Sequence, residues 1–157
     1  MLLEEQVGEA LKTGGLTVAT AESCTGGLIA SRLTDISGSS AYLLGGVVAY
    51  SNAMKMKLLS VAEQTLIDYG AVSEPTAHEM AVGARALIGT DYALSVTGIA
   101  GPGGGTDEKP VGLTYIGLAG PGGLVIVEGH VWEHDRLGNK QASADAALRL
   151  LLKGLSF

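Results

Sequence analysis

The chain has 157 residues, 46% of them hydrophobic, which is enough for one domain with its own core. Sixteen acidic residues against ten basic ones leave a formal charge of -6, and the basic residues are scattered, which argues against a duplex nucleic-acid binder. A single cysteine rules out an internal disulfide and a multi-cysteine zinc site. No apolar run reaches bilayer length, and Met1-Leu2-Leu3-Glu4-Glu5-Gln6 lacks a signal-peptide pattern. The expectation is one soluble cytoplasmic domain over 1–157, with no membrane contact.

In chain order, residues 2–12 place Leu2, Leu3, Val7, Ala10 and Leu11 near helical spacing, with Gly14-Gly15 as the stop. Leu16–Thr20 reads as a buried strand. It runs into Ala21-Glu22-Ser23-Cys24-Thr25-Gly26-Gly27, and residues 25–35 read as a helix. A strand turning sharply into a helix leaves amide N–H groups open to an anion or a developing oxyanion. Ser23 sits at that turn, either as a nucleophile or as a plain helix cap. Val47–Tyr50 has strand character, and helices follow at 53–59 and 61–69. Val72-Ser73-Glu74-Pro75 is a helix entry, leading into 76–87 with Met80, Ala81, Ala84 and Leu87 inward. A strand at 91–96 precedes a glycine-rich stretch from Thr97 to Pro110. Strands 111–118 and 124–131 flank Gly120-Pro121-Gly122-Gly123 as a hairpin, and a helix occupies about 139–152. The pattern predicts an α/β fold: a three-layer α/β/α sandwich around a mixed, mostly parallel sheet with a late antiparallel hairpin.

Lys55 falls one turn into a helix after a strand end, where α/β proteins place ligand groups, and Tyr50 stands at the strand end. A desolvated lysine loses its proton and acts as a base toward serine; a solvated lysine does neither. Ser95-Val96-Thr97-Gly98-Ile99-Ala100-Gly101 opens a loop whose bare backbone suits a phosphate or ribose, although it has neither Walker nor dinucleotide spacing. Arg136 is a bidentate phosphate partner in type. His130 and His134 are four apart, but the spacing straddles a strand end and lacks a third ligand, so no metal is expected.

Four segments together resemble the CinA C-terminal domain family: Thr20–Gly27, Tyr50-Ser51-Asn52 with Lys55, Gly70–Glu74, and Ser95–Gly104 running on to Lys109-Pro110-Val111-Gly112. The resemblance implies an α/β/α sandwich and a nicotinamide-nucleotide amidase, which deamidates nicotinamide mononucleotide to nicotinate mononucleotide and ammonia. It implies Ser23 as nucleophile, with Lys55 and Tyr50 in the catalytic set. Thr97 and Arg136 also match family positions, although His134-Asp135 stands where relatives usually have Gly-Asp. Thr25, Gly26, Gly27, Gly98 and Gly101 join Thr97 and Arg136 as expected substrate contacts. No cofactor is expected, and the expected partners are a small nucleotide substrate and a second copy in a homodimer. Many relatives carry a further N-terminal domain, so the chain is expected to be a stand-alone form or an excised domain. Cys24 is the rival nucleophile, with a buried structural thiol as its plainer role. The alternative function is a non-catalytic nucleotide-binding or competence-related interaction module.

Overall fold

A computed structural model describes residues 1–156. Five strands, β1 (Val18–Glu22), β2 (Leu43–Val48), β3 (Tyr92–Gly98), β4 (Leu113–Ala119) and β5 (Val125–Val131), form one sheet in the order β2-β1-β3-β4-β5. β1 pairs in parallel with β2 and β3, whereas β3–β4 and β4–β5 are antiparallel. The helices are α1 (Leu3–Gly14), α2 (Leu28–Thr34), α3 (Asn52–Leu59), α4 (Glu63–Tyr69), α5 (Glu74–Ile88) and α6 (Arg136–Leu155). The expected mixed α/β sandwich with its late antiparallel hairpin is present, with parallel and antiparallel pairings in equal number rather than mostly parallel.

Strand alternation sends two different sets of side chains to the two faces. Val18, Tyr92, Leu94, Val96, Ile116 and Leu118 point to the face covered by α1, α2 and α6, and they meet Val7, Leu11, Ile29, Leu148 and Leu151 there. The opposite face carries Ala19, Ala21, Ala93, Ser95 and Gly117, all small, so α5 lies close against it. The Ser95 hydroxyl donates to the Ala77 carbonyl of α5 at 2.7 Å, and a Cβ on Gly117 would meet the same carbonyl at 2.8 Å. Such close packing leaves no room for an added methyl. On α5 itself, a Cβ on Gly83 would run into the carbonyl of Leu59. Gly83→Ala is therefore expected to cost about 1–3 kcal/mol by forcing α3 and α5 apart; a thermal melt no lower than wild type would contradict this.

Several boundaries differ from expectation, each for a local reason. α2 begins at Leu28 rather than Thr25, because Gly26 (φ 62°) and Gly27 (φ 104°) take left-handed conformations that cannot open a helix. α6 begins at Arg136 rather than near Asn139, because the Asp135 side chain accepts the Gly138 N–H at 2.8 Å and caps the helix. The inner stripe of α5 runs through Thr76, Ala77, Met80, Ala81 and Ala84 to Ile88, so Leu87, expected inside, is 55% exposed.

The two connections out of β1 and β2 determine where a site can form. The chain crosses from β1 through α2 to β2 on one side, then returns through α3–α5 to β3 on the other. The strand order thus reverses about β1, and a crevice opens beyond the carboxyl ends of β1 and β3, where open α/β sheets bind ligands.

Candidate active site

β1 ends at Glu22, and the Ser23 N–H donates to the Val96 carbonyl of β3 at 3.0 Å, so the serine is held at the end of the central ladder. The turn Cys24–Gly27 then carries the chain into α2. Glu22, only 1% exposed, folds back under this turn. One of its oxygens accepts the Thr25 hydroxyl at 2.7 Å and the Ile29 N–H at 2.9 Å, and the other accepts the Ala30 N–H at 3.0 Å. This corrects the expectation of an open helix start: a carboxylate from the chain itself occupies the first-turn amides of α2. The Gly26 N–H is also committed, to the Ser23 carbonyl. Among the described residues, the N–H groups of Cys24, Thr25 and Gly27 have no carbonyl or carboxylate acceptor.

Lys55 comes from α3, which starts cleanly because Ser51 accepts the Met54 N–H. Its side chain is buried, 2% exposed, yet it forms no ion pair among the described residues. Nζ lies 3.1 Å from Ser23 Oγ and donates to the Tyr50 carbonyl, also at 3.1 Å. Burial holds the ammonium below the usual lysine range, opposed only by the nearby Cys24 sulfur. The pair is thus a buried lysine with no carboxylate partner in contact with a serine hydroxyl. Burial pushes the Cys24 thiol the other way, up to about 11, so the sulfur stays protonated near neutral pH. Cys24 packs against Gly98, where any Cβ would come within 3.1 Å of its sulfur and closer still to the Thr114 hydroxyl.

The pocket above Ser23 encloses about 180 Å³ and is lined by Ser23, Cys24, Tyr50, Lys55, Thr97, Gly98 and Arg136, with Asn52, Ala71, Val72 and Ala100 completing it. Six of the ten residues expected as catalytic or substrate contacts thus share one cavity, and the rival nucleophile Cys24 lies there too. Tyr50 serves it through two groups. Its carbonyl holds Lys55, and its hydroxyl accepts a hydrogen bond from Arg136 Nη2 at 3.1 Å, so the hydroxyl is aimed at the arginine rather than at the serine. Arg136 Nη1 donates to the Gly101 carbonyl at 2.7 Å, which brings Gly101 to the rim by its backbone. Thr97 donates its hydroxyl to the Ala71 carbonyl at 2.8 Å and keeps its lone pairs. Thr25, Gly26 and Gly27 lie outside the lining; the Thr25 hydroxyl belongs to Glu22.

Sequence reasoning passed over three groups. Glu22 carried a signal, as the one charged residue between Leu16 and Gly27. Asn52 belongs to the family-like segment Tyr50-Ser51-Asn52, which gave it no role of its own, and it lines the pocket. Asn139 offered no signal, yet it joins the loop to α6 by donating to the Ala100 carbonyl at 2.9 Å while accepting the His134 N–H. The histidine pair is separated in role: His130 stacks on Trp132 with ring centroids 4.5 Å apart, whereas the His134 backbone is held by Asn139.

The fold and the pocket define a class: an α/β protein with a serine–lysine pair at the switch point of its sheet and an arginine at the rim. The model of the CinA C-terminal domain matches residues 2–155, and the chain belongs to that family. It is 55% identical over 154 residues to a CinA-like protein of Chloroherpeton thalassium, covering 96% of this chain and 37% of that protein. The chain therefore spans little more than a third of such longer relatives. It is also 48% identical to the nicotinamide-nucleotide amidohydrolase PncC of Escherichia coli strain K12, covering 96% of this chain and 92% of that protein. Among solved structures, the competence/damage inducible protein CihA from Agrobacterium tumefaciens superposes with a TM-score of 0.95 at 42% identity, covering 99% and 94% of the two chains. No helix among the described residues is long and apolar enough to cross a membrane.

Proposed function

We propose that this chain hydrolyses the carboxamide of nicotinamide mononucleotide, giving nicotinate mononucleotide and ammonia. The observation that carries this reading is the contact between Lys55 Nζ and Ser23 Oγ inside a pocket whose rim holds Arg136. Likeness to the E. coli amidohydrolase supports the choice of substrate.

In this mechanism neutral Lys55 takes the Ser23 proton as Oγ attacks the carboxamide carbon. The Tyr50 carbonyl orients the amine by accepting one of its N–H bonds. The Cys24 N–H, the open amide of the turn whose residue lines the pocket, stabilises the oxyanion. The C–N bond breaks as the Lys55 ammonium returns its proton to the leaving nitrogen, releasing ammonia. Water then attacks the resulting ester, Lys55 takes the water proton, and Ser23 Oγ leaves and is reprotonated. Arg136 and Thr97 hold the ribose phosphate.

Ammonia release from nicotinamide mononucleotide, measured with the purified chain, tests this directly. Release above blank is expected, and tight binding without release would make the chain a nucleotide-binding module instead. Cys24→Ala is expected to keep turnover within about threefold, because a protonated buried thiol contributes packing rather than chemistry. Loss of activity in that variant together with full activity in Ser23→Ala would transfer the nucleophile to the sulfur.

A further inference from the structure

We infer that Lys140, together with Arg136, forms the subsite for the substrate's phosphate, on the first two turns of α6. The inference deepens the amidase reading and rests on it only for the identity of the nucleotide.

One obvious place for an anion is closed. An α/β fold commonly binds phosphate at the start of the helix that follows its first strand. Here the Glu22 carboxylate fills that position, taking the Ile29 and Ala30 amides and the Thr25 hydroxyl. A phosphate brought to the first turn of α2 would find the Ile29 and Ala30 amides taken and a like charge beneath it. The anion must be held from another side of the crevice.

α6 provides that side. Arg136 is its first residue and Lys140 follows four residues later, so both lie on one helix face. Arg136 spends two of its five N–H donors on Gly101 and Tyr50 and keeps the rest. Lys140 forms no hydrogen bond and no ion pair among the described residues, whereas Arg32 is paired with Glu4 and Asp145, and Lys153 lies beside Glu128. The Lys140 ammonium overhangs the Cys24–Gly27 turn: a Cβ on Gly26 would sit 3.9 Å from Nζ, and its charge is felt at the Cys24 thiol. Gly26 is exposed and left-handed, so the backbone below Lys140 is bare. A phosphate monoester carries between one and two negative charges at pH 7. Two cations one helical turn apart match that charge, and the net charge of -6 makes their concentration here a local feature rather than a general one.

Calorimetric titration of ribose 5-phosphate into the intact chain tests the subsite without relying on turnover. Wild type is expected to bind it, and Lys140→Gln to weaken binding roughly tenfold or more, as loss of a charge-assisted contact does. Lys140→Arg should restore most of the affinity, and Lys153→Gln, at the far end of the same helix, should leave it unchanged. Three results would overturn the inference: no binding by wild type, wild-type affinity in Lys140→Gln, or an equal loss in Lys153→Gln. Failure of the amidase reading would show separately, as absent ammonia release alongside intact ribose 5-phosphate binding.

Discussion

Ser23→Ala is expected to lower ammonia release by roughly 10³–10⁶-fold while nucleotide binding persists, because members of a nucleophile–base pair act as a unit. Lys55→Met should lose a similar amount, and the double variant little more than either alone. The same pair sets the pH dependence. In the proposed mechanism Lys55 works as the neutral amine, so kcat should climb with pH through its depressed pKa and level off above it. Stability follows the same sign. The unfolded chain binds a proton on this lysine up to about pH 10.4, whereas the folded chain releases it at lower pH. Between the two values unfolding takes up a proton, so the folded state gains stability as pH rises through that window. A rate that falls with pH over the same range would contradict the base assignment.

Glu22→Ala is expected to destabilise the fold as well as the chemistry. It would strip the acceptor from the Ile29 and Ala30 amides and from the Thr25 hydroxyl, at 1% exposure for the carboxylate that served them. Orphaned buried donors cost about 1–3 kcal/mol each, so a loss of roughly 3 kcal/mol or more, about 6–12 °C in Tm for a chain of this size, should follow. Because the same carboxylate braces the turn that presents Ser23, kcat should drop more than KM rises. Glu22→Gln should fall between, since its amide nitrogen would face one of the N–H groups. An unchanged melt for Glu22→Ala would show that the turn stands without its brace.

What the sequence revealed and what it concealed divide along physical lines. Strands and helices were legible where apolar spacing or a capping residue marked them, as in α5, where Ser73 and Pro75 announce the start. The cluster of Ser23, Lys55, Thr97 and Arg136 was legible only through segments taken together. Nothing local to Lys55 shows that it folds 32 residues back onto Ser23, since that depends on β1 and β2 being neighbours. Boundaries failed where backbone conformation overrode side-chain type, at Gly26 and Gly27, and where Asp135 served as an unrecognised cap. The open helix start was the reasonable expectation for a strand-to-helix turn. It failed because a buried carboxylate seven and eight residues before those amides supplied the acceptors, and only three-dimensional structure brings them together.

Acid-quenching the chain during turnover of nicotinamide mononucleotide, followed by peptide mass spectrometry, locates the acyl group. The ester is expected on Ser23 in wild type and to be absent from Ser23→Ala. An adduct on Cys24, or undiminished turnover in Ser23→Ala, would contradict a serine nucleophile driven by Lys55.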